Sequence, residues 1–263
     1  YVVTSIRFYS FFKNGQGLKA FVVSLVVSLF YVYMSTGRTF VLLLMALMIF
    51  PLIVRGLIGL RGISISFLIL LFMFFLIAAL TAKGVAVDEG ATENFSTLLE
   101  NLRGYTVAPF LAFFKLFESN PPLMWGQNMF RSFIAIFSSL GFSEVKPVAL
   151  IRDYQFVPDP TNVYTVYDIY FRDFLYVGVF LPPIFLFGHW LLYVRAIRFG
   201  GLWSFYYAAS IYPLIMQFFQ DQYFSLFSMW VQIIFWYWIF LDSGEFLLHR
   251  RSNPSVGRRG LRV

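Results

Sequence analysis

Six apolar runs along the chain are each close to the length of a membrane-spanning helix. They cover residues 18–35, 39–54, 64–82, 174–194, 202–217 and 223–241. A helix needs about 20 apolar residues to cross the roughly 30 Å of hydrocarbon in a bilayer. The pattern therefore predicts an all-α fold, a polytopic helical membrane protein with six transmembrane helices.

A long, more polar stretch, residues 83–173, separates the third run from the fourth. Connections longer than about 15 residues are usually functional. Pro109 suits a first helical turn, and phenylalanines follow it at helical spacing until Asn120-Pro121-Pro122. A second helix is predicted over residues 128–140. Both are too short to span a membrane, so we expect them to lie in the interface or dip into the bundle, as a lid over a cavity between the spans.

Composition supports the membrane interpretation, and charge gives an orientation. The chain is 59% hydrophobic and 13% charged, whereas soluble domains carry about 25% charged residues. Lys and Arg concentrate in residues 1–17, 55–63, 195–201 and 242–263. Short loops rich in these residues face the cytoplasm, so we expect both ends of the chain to be cytoplasmic.

Four regions follow from this orientation. Residues 1–82 would be an N-terminal cytoplasmic segment and three transmembrane helices, and 83–173 an outer loop. Residues 174–241 would be three further transmembrane helices, and 242–263 a basic cytoplasmic tail. The net charge of +7 reports this topology. The tail could touch anionic lipid headgroups, and nothing in the sequence indicates a nucleic-acid partner.

Three arginines are candidates for binding an anion at the outer membrane surface. Arg38 follows Ser35-Thr36-Gly37 between the first two runs. It either reaches water from a tight turn, or its guanidinium pairs with a lipid phosphate. Arg103 and Arg131 interrupt apolar surroundings in the outer loop. Each either points to water or headgroups, or joins Arg38 in a cluster for a pyrophosphate.

Asp173 is the acidic candidate, at the start of the fourth run. It either forms a salt bridge or begins a helix, where a negative charge is favourable. The alternative is a general base or orienting group in an outward-facing cavity.

Several kinds of site are excluded. The chain has no cysteine, which removes disulfides and thiol nucleophiles. His189 is expected in the inner half of the fourth span and His249 in the tail, so neither reaches the outer face under this topology. There is no metal-binding spacing of histidines and carboxylates and no Gly-rich phosphate loop. Neither a metal nor a cofactor is implied.

The chain resembles the bacterial O-antigen polymerase family of oligosaccharide repeat-unit polymerases. The resemblance rests on Pro160-Thr161-Asn162-Val163-Tyr164-Thr165 and on Tyr170-Phe171-Arg172-Asp173-Phe174, near the end of the outer loop. Weaker matches in the same order are Ser35-Thr36-Gly37-Arg38, Arg103-Gly104-Tyr105 and Trp125-Gly126-Gln127.

The resemblance implies a membrane-embedded C-type glycosyltransferase of the bacterial inner membrane. It would use undecaprenyl-diphosphate-linked oligosaccharides on the periplasmic face. The growing chain on one lipid would be transferred to a repeat unit on another, which builds O-antigen, capsule or exopolysaccharide and releases undecaprenyl diphosphate. Its partners would include membrane lipid and a chain-length-regulating co-polymerase.

Site roles follow from this hypothesis. Arg38, Arg103 and Arg131 would bind the pyrophosphate, since arginines can stabilise a leaving charge without a metal. Asp173 would help to deprotonate the acceptor hydroxyl. The glycan site would be shaped by Arg172 and by residues of the polar run: Asn162, Tyr164, Thr165, Tyr167 and Tyr170. The tyrosines recur every three residues, so they either stack on sugars or pack under the loop.

Two features depart from the family, and three other functions stay open. Leu175 stands where a glycine is usual after Asp-Phe. Family members have ten or more spans, so we expect N-terminal spans to be missing from this sequence. One alternative is an O-antigen ligase-like enzyme, a class that uses a histidine in the outer loop. A membrane transporter would need ionisable residues in the spans. The third alternative is a non-catalytic assembly subunit.

Overall fold

The computed structural model describes residues 1–35, 39–80, 91–149, 151–157 and 160–242. These residues are predominantly helical, which confirms the predicted all-α class. The helices are α1 Val2–Asn14, α2 Leu18–Met34, α3 Thr39–Val54, α4 Leu60–Leu80, α5 Ala91–Glu118, α6 Arg131–Ser139, α7 Tyr167–Phe174, α8 Leu181–Phe199, α9 Leu202–Ile215 and α10 Phe227–Asp242. Two short antiparallel strands, β1 Gln155–Phe156 and β2 Pro160–Thr161, pair Gln155 with Thr161.

The bundle is built around α9. It packs extensively against α3 on one side and α8 on the other, and α10 lies beside it. The main cluster of buried side chains comes from α3, α9 and α10 among these helices, and not from α8. It includes Leu43, Leu47, Phe205, Tyr212 and Tyr237. Burial of large apolar side chains contributes about 1.5–3 kcal/mol each when they are removed from water, and less when they are removed from lipid.

Each of the six apolar runs overlaps a helix: α2, α3, α4, α8, α9 or α10. Among the described residues, one continuous helical stretch, Tyr167–Phe199, is long and apolar enough to cross a membrane. It combines α7, a 3-10 turn over Leu175–Phe180 and α8. Shorter apolar helical segments of 10–17 residues also lie in the described part of the chain: Leu18–Met34, Thr39–Val54, Leu60–Ile69 within α4, and Phe227–Leu241. The predicted tail beyond Asp242 lies outside the described residues.

Helix α1 differs from the hydropathy prediction, which leaves residues 1–17 outside the bundle. Its polar side chains are satisfied by neighbouring helices instead of water. The Thr4 hydroxyl bonds the Ser24 carbonyl and the Ser28 hydroxyl, and Ser5 Oγ lies 2.6 Å from the Tyr237 hydroxyl. Because these polar residues interrupt the apolar pattern, the helix escapes a search for long apolar runs.

The first residue lies at the end of the bundle where α9 finishes. The ring of Tyr1 is 6.4 Å from that of Phe40, at the start of α3. The neighbouring Thr39 lies beside Tyr212 in the last turn of α9. Helix α1 therefore runs through the bundle from this end, and Lys13 lies at the other end.

Helix α5 begins far before Pro109, which corrects the prediction that a helix starts at that proline. Pro109 lies inside α5, where it removes one backbone N–H from the hydrogen-bond ladder. The helix stops as expected at Glu118, followed by Asn120 with φ of 46°. The second predicted loop helix is present as α6. Within α5, the rings of Phe113 and Phe117 pack against Phe171 of α7.

The entry into the fourth span also differs from prediction. The chain forms α7 and then a 3-10 turn, and α8 begins only at Leu181. The break falls at Leu175, which has φ 49° and ψ −134°. This conformation favours glycine, because a Cβ crowds the backbone there. Leu175 thus adopts a backbone conformation that glycine adopts at less cost.

We expect Leu175→Gly to be more stable than Leu175→Ala, by about 1 kcal/mol or more. Both changes remove the same packed side chain, but only glycine relieves the positive φ. In an ordinary helix the order is reversed, since alanine is favoured over glycine by about 1 kcal/mol. Thermal unfolding of the two purified variants in one detergent measures the order. Equal stability, or a more stable alanine variant, would show that the backbone at this position is not strained.

Candidate functional site

The polar, tyrosine-rich run folds into α7, a short helix buried at one end of the bundle. Asp168, Tyr170, Phe171 and Asp173 are all buried. The N–H of Val166 donates to the Gln217 carbonyl just past the end of α9, over 2.8 Å. We call this the α7 end of the bundle. At the opposite end, which we call the basic end, Arg55 Nη1 donates to the Ile197 carbonyl near the end of α8.

Asp168 joins two arginines at the α7 end. Its Oδ2 accepts a hydrogen bond from Arg152 Nε over 2.8 Å, and its Oδ1 accepts one from Arg172 Nε over 2.7 Å. The guanidinium of Arg172 also lies 5.4 Å from the centre of the Tyr164 ring, a cation–π contact. These three ionised groups carry a formal charge of +1 together. Each ion pair is made through Nε of the arginine.

A cleft of about 150 Å³ adjoins this ion-pair cluster. Its walls include Arg152, Arg172, Asn128, Met124 and Val148. Pockets for drug-sized ligands are larger, about 300–1,000 Å³. The cleft therefore has room for one small group, such as part of a sugar or a phosphate, beside two cationic side chains.

Asp173 holds the turn formed by residues 124–129. Its Oδ1 accepts hydrogen bonds from the backbone N–H and the side-chain amide of Asn128, over 3.0 and 2.7 Å. Its Oδ2 accepts the Met129 N–H over 2.7 Å. In return, the N–H groups of Met124 and Trp125 donate to the carbonyls of Arg172 and Asp173, which lie at the end of α7 and have no helical partner.

This geometry makes Asp173 a positioning residue. Its side chain is fully buried, and both carboxylate oxygens accept hydrogen bonds. It ends α7 and does not begin a span, so the interpretation as a helix N-terminal acid is wrong. A general base must reach the proton that it removes, and a buried carboxylate with three donors does not reach a bound sugar. The placement therefore argues against the general-base assignment.

Tyr170 is anchored by a second buried carboxylate. Its hydroxyl donates to Asp221 Oδ1 over 2.7 Å. Asp221 also accepts N–H groups from Tyr223, Phe224 and Ser225 in the segment before α10. Burial raises the pKa of the Asp221 carboxyl, and these hydrogen bonds oppose that shift. The pair attaches α7 to the end of the bundle.

The remaining residues of the run are largely packed. Tyr164 is buried among Ala112, Leu116 and Phe171, and its hydroxyl donates to the Asp153 carbonyl over 3.3 Å. Thr165 is buried, whereas Asn162 and Tyr167 are half-buried. The Tyr167 ring lies 5.8 Å from that of Phe113. Of the two interpretations of the tyrosines, packing under the loop fits Tyr164 and Tyr170, and only Tyr167 keeps part of its ring exposed.

The three arginines predicted to bind pyrophosphate are not brought together by the described contacts. Arg131 donates through Nε to the Val148 carbonyl over 2.7 Å, so it fixes one wall of the cleft. Arg103 lies in α5, and its side chain lies outside the described part of the structure. Arg38 also lies outside the described residues.

Comparison with known proteins gives no relative for this chain. No family model, curated protein or solved structure matches it. Functional inference therefore depends on the geometry of the site and on the resemblance carried by its motifs.

His189 lies closer to the α7 end than predicted. Its Nε2 is 2.8 Å from the hydroxyl of Tyr223, which also accepts a hydrogen bond from Gln217 Nε2. The physical reason is the late start of α8, because α7 and the 3-10 turn precede Leu181 at this end. His189 lies in the middle of α8 and within reach of Tyr223, whereas the sequence predicts it in the inner half of the fourth span.

Asp168, Arg152, Asn128 and Asp221 are the site residues that the sequence did not single out. One signal was present, because an aspartate four residues before an arginine on a helix forms a favourable ion pair, as Asp168 and Arg172 do. Arg152 and Asn128 come from segments with no such relation to α7. Their positions depend on the tertiary fold.

Proposed function

We propose that this chain is part of a multi-pass bacterial inner-membrane glycosyltransferase that polymerises undecaprenyl-diphosphate-linked oligosaccharide repeat units. The six apolar runs would cross the membrane, and the α7 end would face the periplasm. The basic end would face the cytoplasm, in keeping with the positive-inside rule. In this orientation Tyr1 lies on the periplasmic side, which replaces the expectation that both ends are cytoplasmic.

One observation carries the proposal. Two segments on which the family resemblance rests, Trp125-Gly126-Gln127 and Tyr170–Phe174, lie against each other through the hydrogen bonds of Asp173 and the end of α7. Between them and Val148 lies the cleft with Arg152 and Arg172. Residues far apart in sequence thus meet around one cleft that two arginines line.

The proposed glycosyl transfer requires cations beside the diphosphate leaving group. The acceptor hydroxyl attacks the anomeric carbon of the donor glycan and releases its proton to water. The bond from that carbon to the diphosphate oxygen breaks, and undecaprenyl diphosphate leaves with the bonding electrons. Fixed positive groups stabilise the charge that develops on the diphosphate. We assign this role to Arg172 and Arg152, with Asp168 holding both in place. Arg38 and Arg103 remain candidates for the same role.

A glycan-ladder assay tests the assignment in cells that lack the native polymerase. Arg172→Ala and Arg152→Ala are each expected to remove most long chains, since loss of one such donor lowers rates by roughly a hundredfold or more. Arg198→Ala is the matched control, because this exposed arginine lies at the basic end beside Phe199. Chains of normal length in both cleft variants, at equal protein level, would contradict a leaving-group role for the cleft.

A further inference from the structure

Helix α6 carries an apolar stripe whose side chains are exposed. Phe133, Ile136, Phe137 and Leu140 follow the spacing of one helix face. Ile136 and Leu140 are 55% and 62% exposed, and no residue of α6 is buried. A stripe of this kind normally faces the core.

The opposite face of α6 is the one held by the protein. Arg131 lies almost directly across the helix from Phe133 and Leu140, at 100° per residue. Its guanidinium bonds the Val148 carbonyl over 2.7 Å. Ala135 and Ser138, on the same side, are less exposed than the stripe. In water the hydrophobic effect would favour the reverse arrangement, so the stripe fits an apolar partner.

The apolar surface continues beyond α6 at its C-terminal end. Gly141 has φ of 76°, and the N–H of Phe142 donates to the Phe137 carbonyl over 2.9 Å, which is a Schellman ending. This ending leaves Phe142 76% exposed. Residues 132–143 include no ionisable side chain. An aqueous surface of this length would normally carry charge.

The stripe is also continuous with the surface of α10. The ring of Phe133 lies 4.8 Å from that of Phe227, at the start of α10. Further along α10, Val231, Ile234 and Phe235 are exposed. The same apolar environment that surrounds α10 would therefore reach α6.

We propose that α6 is an in-plane membrane anchor whose stripe of Phe133, Ile136, Phe137 and Leu140 enters one leaflet of the phospholipid bilayer. Helices of this type bury their apolar face roughly 5–10 Å deep, at the boundary of headgroups and acyl chains. The hydrogen bonds of Asp173 to Asn128 and Met129 hold the approach to α6 in place. The 124–129 turn and its cleft are thereby fixed near the membrane surface.

Fluorescent labelling of single cysteines tests this anchor, because the chain contains no cysteine of its own. Ile136→Cys and Leu140→Cys are labelled with bimane, and the full chain is reconstituted in phosphatidylethanolamine and phosphatidylglycerol vesicles. Spin-labelled lipids with a shallow acyl-chain nitroxide are expected to quench both sites strongly, and aqueous iodide weakly. Lys146→Cys, on the exposed segment after α6, is the control and is expected to show the opposite pattern.

Two outcomes overturn the anchor. Iodide quenching at positions 136 and 140 equal to that at 146 would place α6 in water. Protection of both sites from iodide and from the lipid quencher would mean that protein, such as a second copy of the chain, covers the stripe. Phe142→Cys provides a third site if either α6 variant unfolds in detergent. The readout is independent of glycan synthesis, so it separates this anchor from the proposed transferase activity.

Discussion

Replacing Gly178 by alanine is expected to prevent correct folding of the junction between α7 and α8. Gly178 is buried in the 3-10 turn, and an added Cβ would overlap the carbonyl group of Tyr170 and lie 3.1 Å from the Phe171 nitrogen. All of these are backbone atoms of α7, which cannot move without disturbing the Asp168 and Asp173 contacts. Overpacking costs typically about 1–3 kcal/mol when side chains can yield. We expect a larger loss here.

Gly188→Ala is the matched control for this substitution. Gly188 lies in α8, and a Cβ added there meets nothing within 4 Å. Alanine is also the better helix former by about 1 kcal/mol, so this variant is expected to be as stable as the parent or slightly more stable. Thermal unfolding and size-exclusion behaviour in detergent compare the two. A Gly178→Ala protein with parental stability would mean that α7 does not pack on the 3-10 turn.

Replacing Asp173 by asparagine is expected to destabilise the protein by roughly 2–3 kcal/mol, because hydrogen bonds to a buried charged group contribute about that much. The carboxylate accepts three N–H groups on two oxygens. The asparagine side chain has one acceptor oxygen where the carboxylate has two, and its NH₂ group would face one of these N–H donors. At roughly 2–4 °C per kcal/mol for a chain of this size, the Tm should fall by about 5–10 °C.

The same variant separates a structural role from a chemical one. The account predicts that stability and glycan synthesis fall together, and that proteases cut the 124–129 turn more readily. Asp153→Ala is the control, since the exposed side chain of Asp153 has no described hydrogen bond and its backbone carbonyl, bonded to Tyr164, is unchanged. Unchanged Tm and protease resistance in Asp173→Asn, together with lost synthesis, would restore the general-base interpretation.

The hydropathy pattern located α2, α3, α4, α8, α9 and α10 because long apolar runs are a strong signal for helices. It missed α1, whose Thr4 and Ser5 look solvent-exposed in sequence but bond other helices in the bundle. It predicted a regular helix from residue 174 onward, because residues 174–180 are apolar enough to continue one. The break at Leu175 is a backbone event with no signature in hydropathy.

The site was predictable only where its residues are close in sequence. The run 162–174 and the second loop helix were identified, and the spacing of Asp168 and Arg172 was available. The partners of this run could not be predicted, because Asn128, Arg152 and Asp221 reach α7 from three separate segments. Asp173 illustrates the limit, because its acidic character is visible in the sequence but its three donors are set by the tertiary fold.

Reconstituted synthesis shows whether the purified chain joins repeat units. The purified full chain, in vesicles, is supplied with undecaprenyl-diphosphate-linked oligosaccharide repeat units, and mass spectrometry follows both lipid products. The account predicts lipid-linked chains of two or more repeat units, with one undecaprenyl diphosphate released for each unit joined, and a large loss of both in Arg172→Ala. Folded protein that yields neither longer chains nor undecaprenyl diphosphate, across repeat units of different sugars, would contradict the assignment of this chain as a polymerase.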